Sequence, residues 1–456
     1  MMKPQLVVVP LLAVAAAYLL ILCSPSSSSS SLPAHLLAHP VRTFPALLSA
    51  RTRAELMTLT RSLGELPGVT SAESGYAMTH EHIGEGLEHA ALPDGTCAHP
   101  FLVPSADGRL CILPGRIDVG RHYVATGGHE ALREQHSQLL DRVQSFIRYI
   151  FNPLEHAVTA RLFADEAFLA AARSVCPADK RVLDPFQTTL IAQLPGQTVP
   201  AHLDGVWFQG ASRFHVPQWL LAVMAFSGLF AERLVDQVQL VSYYHDWADS
   251  GGARGGAFVH WSARDGSVAA LAPQPGSGSA MDGSKTVHAA TLFEPGAAAP
   301  RLDKNQRHAL VYNATAAAAA AWQLVSGGQS RGAAHAWSEQ QLRFSVVYRA
   351  RCFRSERERA DFAAALAARE GLMDLERDIL LPLMREAARR RAAPSLEALQ
   401  ALPRLELAIK LLDVFVHYPT PAAPPWRLPF NYCALPRLFP GSRALAAAID
   451  WLCPLR

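Results

Sequence analysis

The 456 residues, half of them apolar, are enough to bury a sizeable core in more than one folded unit. The 42 Lys and Arg residues nearly balance 39 Asp and Glu, so the chain lacks the basic footprint of a nucleic-acid-binding protein. The one dense basic cluster, Arg389-Arg390-Arg391, closes a helical pattern before Pro394 and suits the negative end of a helix dipole.

Leu6 to Cys23 form an uncharged run, with Lys3 before it and Pro25 and the Ser26–Ser31 tract after it. The run is just long enough to span a bilayer. It ends in bulky Leu19, Leu20, Ile21 and Leu22, where a signal peptide would show a small-x-small cleavage site. This pattern predicts an uncleaved transmembrane helix acting as a signal anchor, with the body in the lumen of the endoplasmic reticulum or Golgi. A cleaved signal with a secreted body is the alternative. Six cysteines follow the anchor: Cys97, Cys111, Cys176, Cys352, Cys433 and Cys453. An even number in a translocated chain permits three disulfides, and Cys97 with Cys111, bracketing a loop rich in Pro, Asp and Gly, is the expected pair. Asn313-Ala314-Thr315 is a glycosylation sequon, which has meaning in a lumenal body.

After the anchor, Thr52-x-x-Glu55 reads as a capping box; Leu56, Leu59 and Leu63 then share a helical face and Gly64 stops it. Leu132, Leu139, Val143, Phe146 and Ile150 predict an amphipathic helix from about Glu130 to Phe151, ended by Asn152-Pro153. Gly64 to Gly128 is loop-rich. From about Arg181 the texture becomes short strands and turns. Thr188–Ala192 reads as a strand, Pro195-Gly196 as a turn and Val238–Tyr243 as a half-buried strand. Ala257–Trp261 and Phe344–Tyr348 are further strands. Strands of this kind suggest a barrel or jelly roll. Gly296 to Gly332, with six consecutive alanines at 316–321, reads as an insertion, and Ser355-x-x-Glu358 opens a helical C-terminal region. The expected organisation is an anchor and stalk (1–31), a helical and loop region (32–180), a β-rich domain (181–355) and a helical region (356–456). The C-terminal region, Pro-rich at 419–430, is expected to pack on the barrel and carry no chemistry.

His202-x-Asp204 follows the first strand and turn, and side chains two apart on extended backbone point the same way. Flanked by Pro200 and Gly205, the pair alone would be an ordinary surface turn. Its company is His288, in Met281-Asp282-Gly283-Ser284-Lys285-Thr286-Val287-His288, and Arg343-Phe344-Ser345 on the last expected strand. Two His and one carboxylate leave a metal open positions for a co-substrate and oxygen. A planar guanidinium such as that of Arg343 suits the far carboxylate of a 2-oxoacid, and Ser345 could add a hydroxyl.

The set Leu194-Pro195-Gly196…Pro200-x-His202-x-Asp204, then His288, then Arg343-x-Ser345, resembles the HxD…H…RxS pattern of the iron(II)/2-oxoglutarate oxygenase superfamily. The approach to His202 is similar to that of its prolyl-hydroxylase-like branch. Trp207–Arg213, Pro217–Leu221, Phe226–Phe230, Tyr244–Trp247 and Gly255–Trp261 look like a little-characterised algal and protist set of such proteins. The resemblance covers residues 185–355. It implies an α+β protein with a double-stranded β-helix core, with His202, Asp204 and His288 holding Fe(II). Arg343 and Ser345 would hold 2-oxoglutarate, and ascorbate would be a further cofactor. The implied reaction is hydroxylation of a substrate C–H bond with decarboxylation of 2-oxoglutarate to succinate. The substrate, a protein side chain or small molecule, is not identified by the residues. His288 and Arg343 lie 55 positions apart, much farther than is usual in the superfamily. Either the Ala-rich segment is inserted between two core strands, or His335 is the distal ligand; the flanking pattern favours His288.

Other constellations compete. His245-Asp246 and His260 flank the barrel and read best as hydrogen-bonded histidines. His80-Glu81-His82…His89 has zinc-ligand types but sits in a Gly-rich polar stretch. Gly328-Gln329-Ser330-Arg331-Gly332 matches a nucleophile elbow, with Asp413 and His417 following in hydrolase order, but no alternating parallel strands and helices surround it. A non-catalytic, membrane-tethered barrel is the remaining class.

Overall fold

The computed structural model describes residues 32–69, 88–91, 103–104, 110–112, 139–143, 145–247, 254–265, 267–294, 297–302, 307–327, 329–330, 335–390 and 395–418, with a few isolated positions. The first part contains β1 (Val41–Phe44), α1 (Ala50–Ser62), β2 (Glu65–Val69), β3 (Ser145–Ile150), α2 (Ala157–Ala164) and α3 (Glu166–Arg173). The middle contains β4 (Val182–Gln193), β5 (Val199–His202), α4 (Gln218–Ser227), β6 (Gln237–Tyr243), β7 (Phe258–His260), β8 (Ala269–Leu271), β9 (Gly278–Met281) and β10 (His288–Ala290). There follow β11 (His308–Tyr312), β12 (Trp322–Ser326), β13 (Arg343–Phe353), α5 (Glu356–Ala368), α6 (Leu381–Arg389) and α7 (Arg404–Phe415).

The protein is a mixed α and β fold with large antiparallel sheets. One sheet runs β1–β9–β6–β13–β4–β3–β2–β11–β12, extended at its end by Gln329–Ser330 and Ala336–Trp337. The second runs β8–β7–β10–β5. Period-2 alternation sorts the side chains of each sheet. Along β13, Phe344, Val346, Tyr348, Ala350 and Cys352 join an apolar cluster with Leu56 and Met57 of α1, Leu162 of α2 and Phe168 of α3. The intervening Arg343, Ser345, Val347 and Arg349 face the other way, beside Gln193, Ile191, Thr189 and Gln187 of β4. In the smaller sheet Ala201, Val259 and Ala289 pack outward on α4 and the C-terminal helices. Every residue from Trp219 to Ser227 of α4 is buried there. Two helix-covered sheets thus enclose an interior in which polar side chains share space with an apolar patch of Ile191, Val241, Tyr243 and Val347, and His202 and His288 fall on the alternate positions of β5 and β10.

Several expectations change. The helix over 130–151 is not observed: Leu139–Val143 is a single helical turn and Ser145–Ile150 is a strand paired with β4, while 130–138 lie outside the described residues. A spacing of four, as from Phe146 to Ile150, serves a helix turn and two strand periods equally, and tertiary pairing decides. The cap of α1 is Ser49, whose hydroxyl accepts from the Thr52 N–H; Glu55 instead pairs with Arg51 and Arg161. Gly64 does stop that helix, at φ +77°. The β6 strand is buried on both faces, not half-buried, because helices cover one face and the opposite sheet the other. The Ala-rich segment does lie between β10 and β13, yet its hairpin β11–β12 extends the large sheet, with Leu310, Trp322 and Leu324 in the core. Ser355 caps α5 as expected, accepting from the Glu358 N–H.

Cys176, just after α3, is bonded to Cys352 near the end of β13, with α-carbons 6.0 Å apart. The pairing expected for Cys97, the anchor and stalk at 1–31 and the His80–His82 cluster lie outside the described residues. No described helix is long and apolar enough to cross a membrane. The sequon Asn313–Thr315 forms a turn in which Asn313 Oδ1 accepts from both the N–H and the hydroxyl of Thr315.

Candidate metal centre

His202, Asp204 and His288 are buried and stand together, each offering a ligand atom within 4.8 Å of the others. His202 and His288 are directly cross-strand on β5 and β10, with ring centroids 4.2 Å apart. His202 Nε2 lies 3.9 Å from Asp204 Oδ1, and His288 Nε2 lies 3.9 Å from Asp204 Oδ2. An ion making bonds of about 2.1 Å reaches atoms up to about 4.2 Å apart, so each imidazole nitrogen and its Asp204 oxygen lie within the reach of one small cation. Each imidazole is oriented the same way. His202 Nδ1 bonds the Pro200 carbonyl at 2.8 Å and His288 Nδ1 the Thr286 carbonyl at 2.9 Å, which leaves both Nε2 atoms for the ion.

The carboxylate between them is held by its own set of contacts. The Asp204 N–H donates to the Gly283 carbonyl at 2.7 Å, and Arg349 Nη2 donates to Asp204 Oδ1 at 2.9 Å. Gly283 belongs to a turn fastened by Asp282, which accepts from the Gln237 N–H and from Ser284, while Lys285 contacts both Asp282 and Asp236. Lys180 closes this group on Asp236 at 2.5 Å. Salt-bridged to both lysines, Asp236 has its pKa lowered despite its burial.

Arg343 is 4% exposed. Its guanidinium donates to Gln193 Oε1 and, at 3.1 Å, to the Tyr243 hydroxyl, and it lies 4.8 Å from the Tyr243 ring centroid. The Arg343 Nε has no hydrogen-bond partner among the described residues. Gly256, at φ +67°, brings backbone over this side chain: a Cβ there would sit 3.1 Å from Arg343 Cδ. Ser345 is buried two positions on and faces Tyr243 across the strands. Arg343 and Arg349 are six residues apart on one strand, roughly 20 Å along it, so the interior has a cation at each end.

The other candidates sit elsewhere. His335 precedes Ala336–Trp337, which pairs with β12 at the far edge of the large sheet. It is not in the group with His202 and Asp204. Ser330 lies in a two-residue strand antiparallel to Val325 and Ser326, whereas Asp413 is on α7. His260 is across from His288, bonded to Ser262 Oγ at 3.0 Å. Asp246 pairs with Arg53 at the surface. Arg349, Gln193 and Tyr243 went unnoticed in the sequence, although same-face alternation with Arg343 and Ser345 marks Arg349.

His245 is a structural histidine. Its Nε2 meets the Pro273 carbonyl at 2.8 Å, its Nδ1 lies 3.1 Å from the Phe344 carbonyl and 3.3 Å from the Phe344 N–H, and it stacks on Trp247 at 3.7 Å. A neutral ring protonated on Nε2 donates to Pro273 and accepts from the Phe344 N–H. Burial above all, with Arg343 nearby, lowers its pKa from 6.5 to about 3. Because the folded value lies below the unfolded one, stability is fully present above pH 6.5 and is lost as the pH falls toward 3. Urea unfolding is expected to show roughly 2 kcal/mol less stability near pH 5 than near pH 7 from this group. A His245→Gln variant, whose amide can both donate and accept, should lose that component of the slope.

No family model and no curated protein matches the chain. Among solved structures it is similar to a Pseudomonas putida prolyl-4-hydroxylase at 11% identity, over 69% of this chain and 92% of that one, with a TM-score of 0.30. It is similar to HygX from Streptomyces hygroscopicus, solved with nickel, 2-oxoglutarate and hygromycin B, at 9% identity over 69% and 83%, with a TM-score of 0.29. A viral collagen prolyl hydroxylase from Paramecium Bursaria Chlorella virus-1, in complex with 2-oxoglutarate, matches at 10% identity over 68% and 95%, with a TM-score of 0.27.

Proposed function

We propose that the protein is an iron(II)- and 2-oxoglutarate-dependent oxygenase on a double-stranded β-helix core. The observation that carries this is the facing of two oriented imidazoles and one carboxylate across an interior that also holds Arg343. His202, Asp204 and His288 would hold the metal, with neutral nitrogens and one anionic oxygen matched to a divalent ion. Iron(II) with 2-oxoglutarate supplies the oxidation of a substrate C–H bond, with decarboxylation of the co-substrate to succinate. The chain's own contribution is placement. Arg343, held by Gln193 and the Tyr243 hydroxyl, would bind the far carboxylate of the 2-oxoacid, and Ser345 would add a hydroxyl. The two covered sheets exclude water from the reacting atoms. The Cys176–Cys352 disulfide and the surface sequon at Asn313 support a translocated body tethered by residues 6–23.

The test is optical. Anaerobic iron(II) and 2-oxoglutarate added to the full-length protein should produce a visible metal-to-ligand charge-transfer band. In Arg343→Met the band should need at least about tenfold more 2-oxoglutarate, the loss of a charge-assisted bond worth about 1.5–3 kcal/mol. A folded, iron-exposed protein with no band would overturn the reading and leave a non-catalytic scaffold.

A further inference from the structure

Between β9 of the large sheet and β10 of the small one, the chain crosses from sheet to sheet in residues 282–287. This turn is closed by its own backbone: the Lys285 and Thr286 N–H groups both donate to the Asp282 carbonyl, at 3.1 and 2.9 Å. Two of its other carbonyls reach metal ligands. The Gly283 carbonyl accepts from the Asp204 N–H at 2.7 Å, and the Thr286 carbonyl lies 2.9 Å from His288 Nδ1. A carbonyl can only accept, so His288 carries its proton on Nδ1 and keeps Nε2 for the ion. One turn therefore orients two ligands that belong to different strand ends.

The turn is held by a buried carboxylate that is not itself in the ligand group. Asp282 Oδ1 accepts from the Ser284 N–H at 3.0 Å and from its hydroxyl at 2.5 Å. Asp282 Oδ2 accepts from the N–H of Gln237, the first residue of β6, at 3.0 Å. Lys285 reinforces the same link, contacting Asp282 and also Asp236, which precedes β6. The two oxygens thus do different things. One braces the turn internally, and the other fastens it to the large sheet, where Arg343 and Ser345 lie on the neighbouring strand β13.

We propose that Asp282 is a positioning residue for the metal centre. Through the Gly283 and Thr286 carbonyls it fixes Asp204 and His288, and through the Gln237 N–H it sets that pair against the strands that carry Arg343. This inference rests on the metal centre of the oxygenase reading and is independent of the substrate. A carboxylate that served the fold alone would change stability and leave the spectrum of a bound metal as it is.

The test adds cobalt(II) to the full-length protein and follows its visible d–d bands, with urea unfolding measured in parallel. Asp282→Ala should bind cobalt at least about tenfold more weakly. At saturating metal its bands should differ in position or intensity from the wild type, because Asp204 and His288 meet the ion at altered angles. Asp282→Asn can still accept from Ser284 through its amide oxygen but turns an NH2 group toward the Gln237 N–H, so it should fall between the two. Ser284→Ala keeps the carboxylate and removes one donor to it; it should lose about threefold in affinity, and it carries the test if Asp282→Ala does not fold. Asp184→Asn is the control. It breaks a different ion pair, with Arg351 at 2.6 Å, and should lower stability while leaving cobalt affinity and bands unchanged. Wild-type affinity and bands in the Asp282 and Ser284 variants, or the same changes in Asp184→Asn, overturn the proposal, while cobalt binding by the wild type upholds the metal centre. A folded wild-type protein that takes up no cobalt overturns both.

Discussion

Alanine at His288 is expected to abolish both metal retention and the 2-oxoglutarate band, as is alanine at His202 or Asp204, whereas His335→Ala leaves both intact. The reason is geometric. Each Nε2 lies 3.9 Å from an Asp204 oxygen, so one ion would bridge all three side chains and removal of any would leave a two-ligand site. Loss of even an outer partner of a metal ligand costs about 10–100-fold in affinity, so loss of a ligand should exceed that. Thermal unfolding offers a readout independent of turnover. Metal at about 100 times its dissociation constant should stabilise the wild-type protein by about 2.7 kcal/mol and the His288 variant by almost nothing. A His288→Ala protein that keeps the metal-dependent shift, or a His335→Ala protein that loses it, would move the distal ligand to His335.

A methyl group at Gly283 is expected to do comparable damage without touching a ligand. A Cβ there would run into the Asp204 carboxylate and come within 2.9 Å of Gln239 Oε1. The carboxylate cannot simply yield, because Arg349 holds Oδ1 and the Gly283 carbonyl holds the Asp204 N–H. Gly283→Ala should therefore weaken metal binding by at least about tenfold. Overpacking should also cost about 1–3 kcal/mol of stability. Gly205→Ala is the control: it neighbours Asp204 in sequence, but nothing lies within 4 Å of its added Cβ. Cobalt(II) titration followed by visible absorption compares the two. Equal affinities would show that Asp204 has more freedom than its contacts indicate.

What could be read from the sequence follows the period of two. His202 with Asp204, and Arg343 with Ser345, are pairs whose shared direction needs only extended backbone, and the structure places the members of each pair in one interior. The same rule runs on to Arg349, but a charged residue late in a strand reads as solvent-facing until the strand is known to be central. Gln193 and Tyr243 were hidden for another reason: their meeting with Arg343 depends on the register between three strands, which one segment cannot reveal. The Phe146–Ile150 spacing fits helix and strand alike, and pairing with β4 settled it. Cys176 and Cys352 are 176 residues apart and meet only because α3 packs on the sheet that β13 completes.

The position of β13 has a consequence for how the chain is made. This strand lies between β4 and β6, yet it is the last of the three to leave the ribosome. Until residue 353 emerges, β4 and β6 each expose an unpaired backbone edge, and nascent chain ending before 343 carries the metal ligands without Arg343, Ser345 or Arg349. Such open edges invite pairing with other chains. Closure must also wait for contacts separated by some 150 residues, which makes the final step slow. Truncations within the C-terminal half of the β-rich region should therefore yield aggregating chains and no smaller working domain.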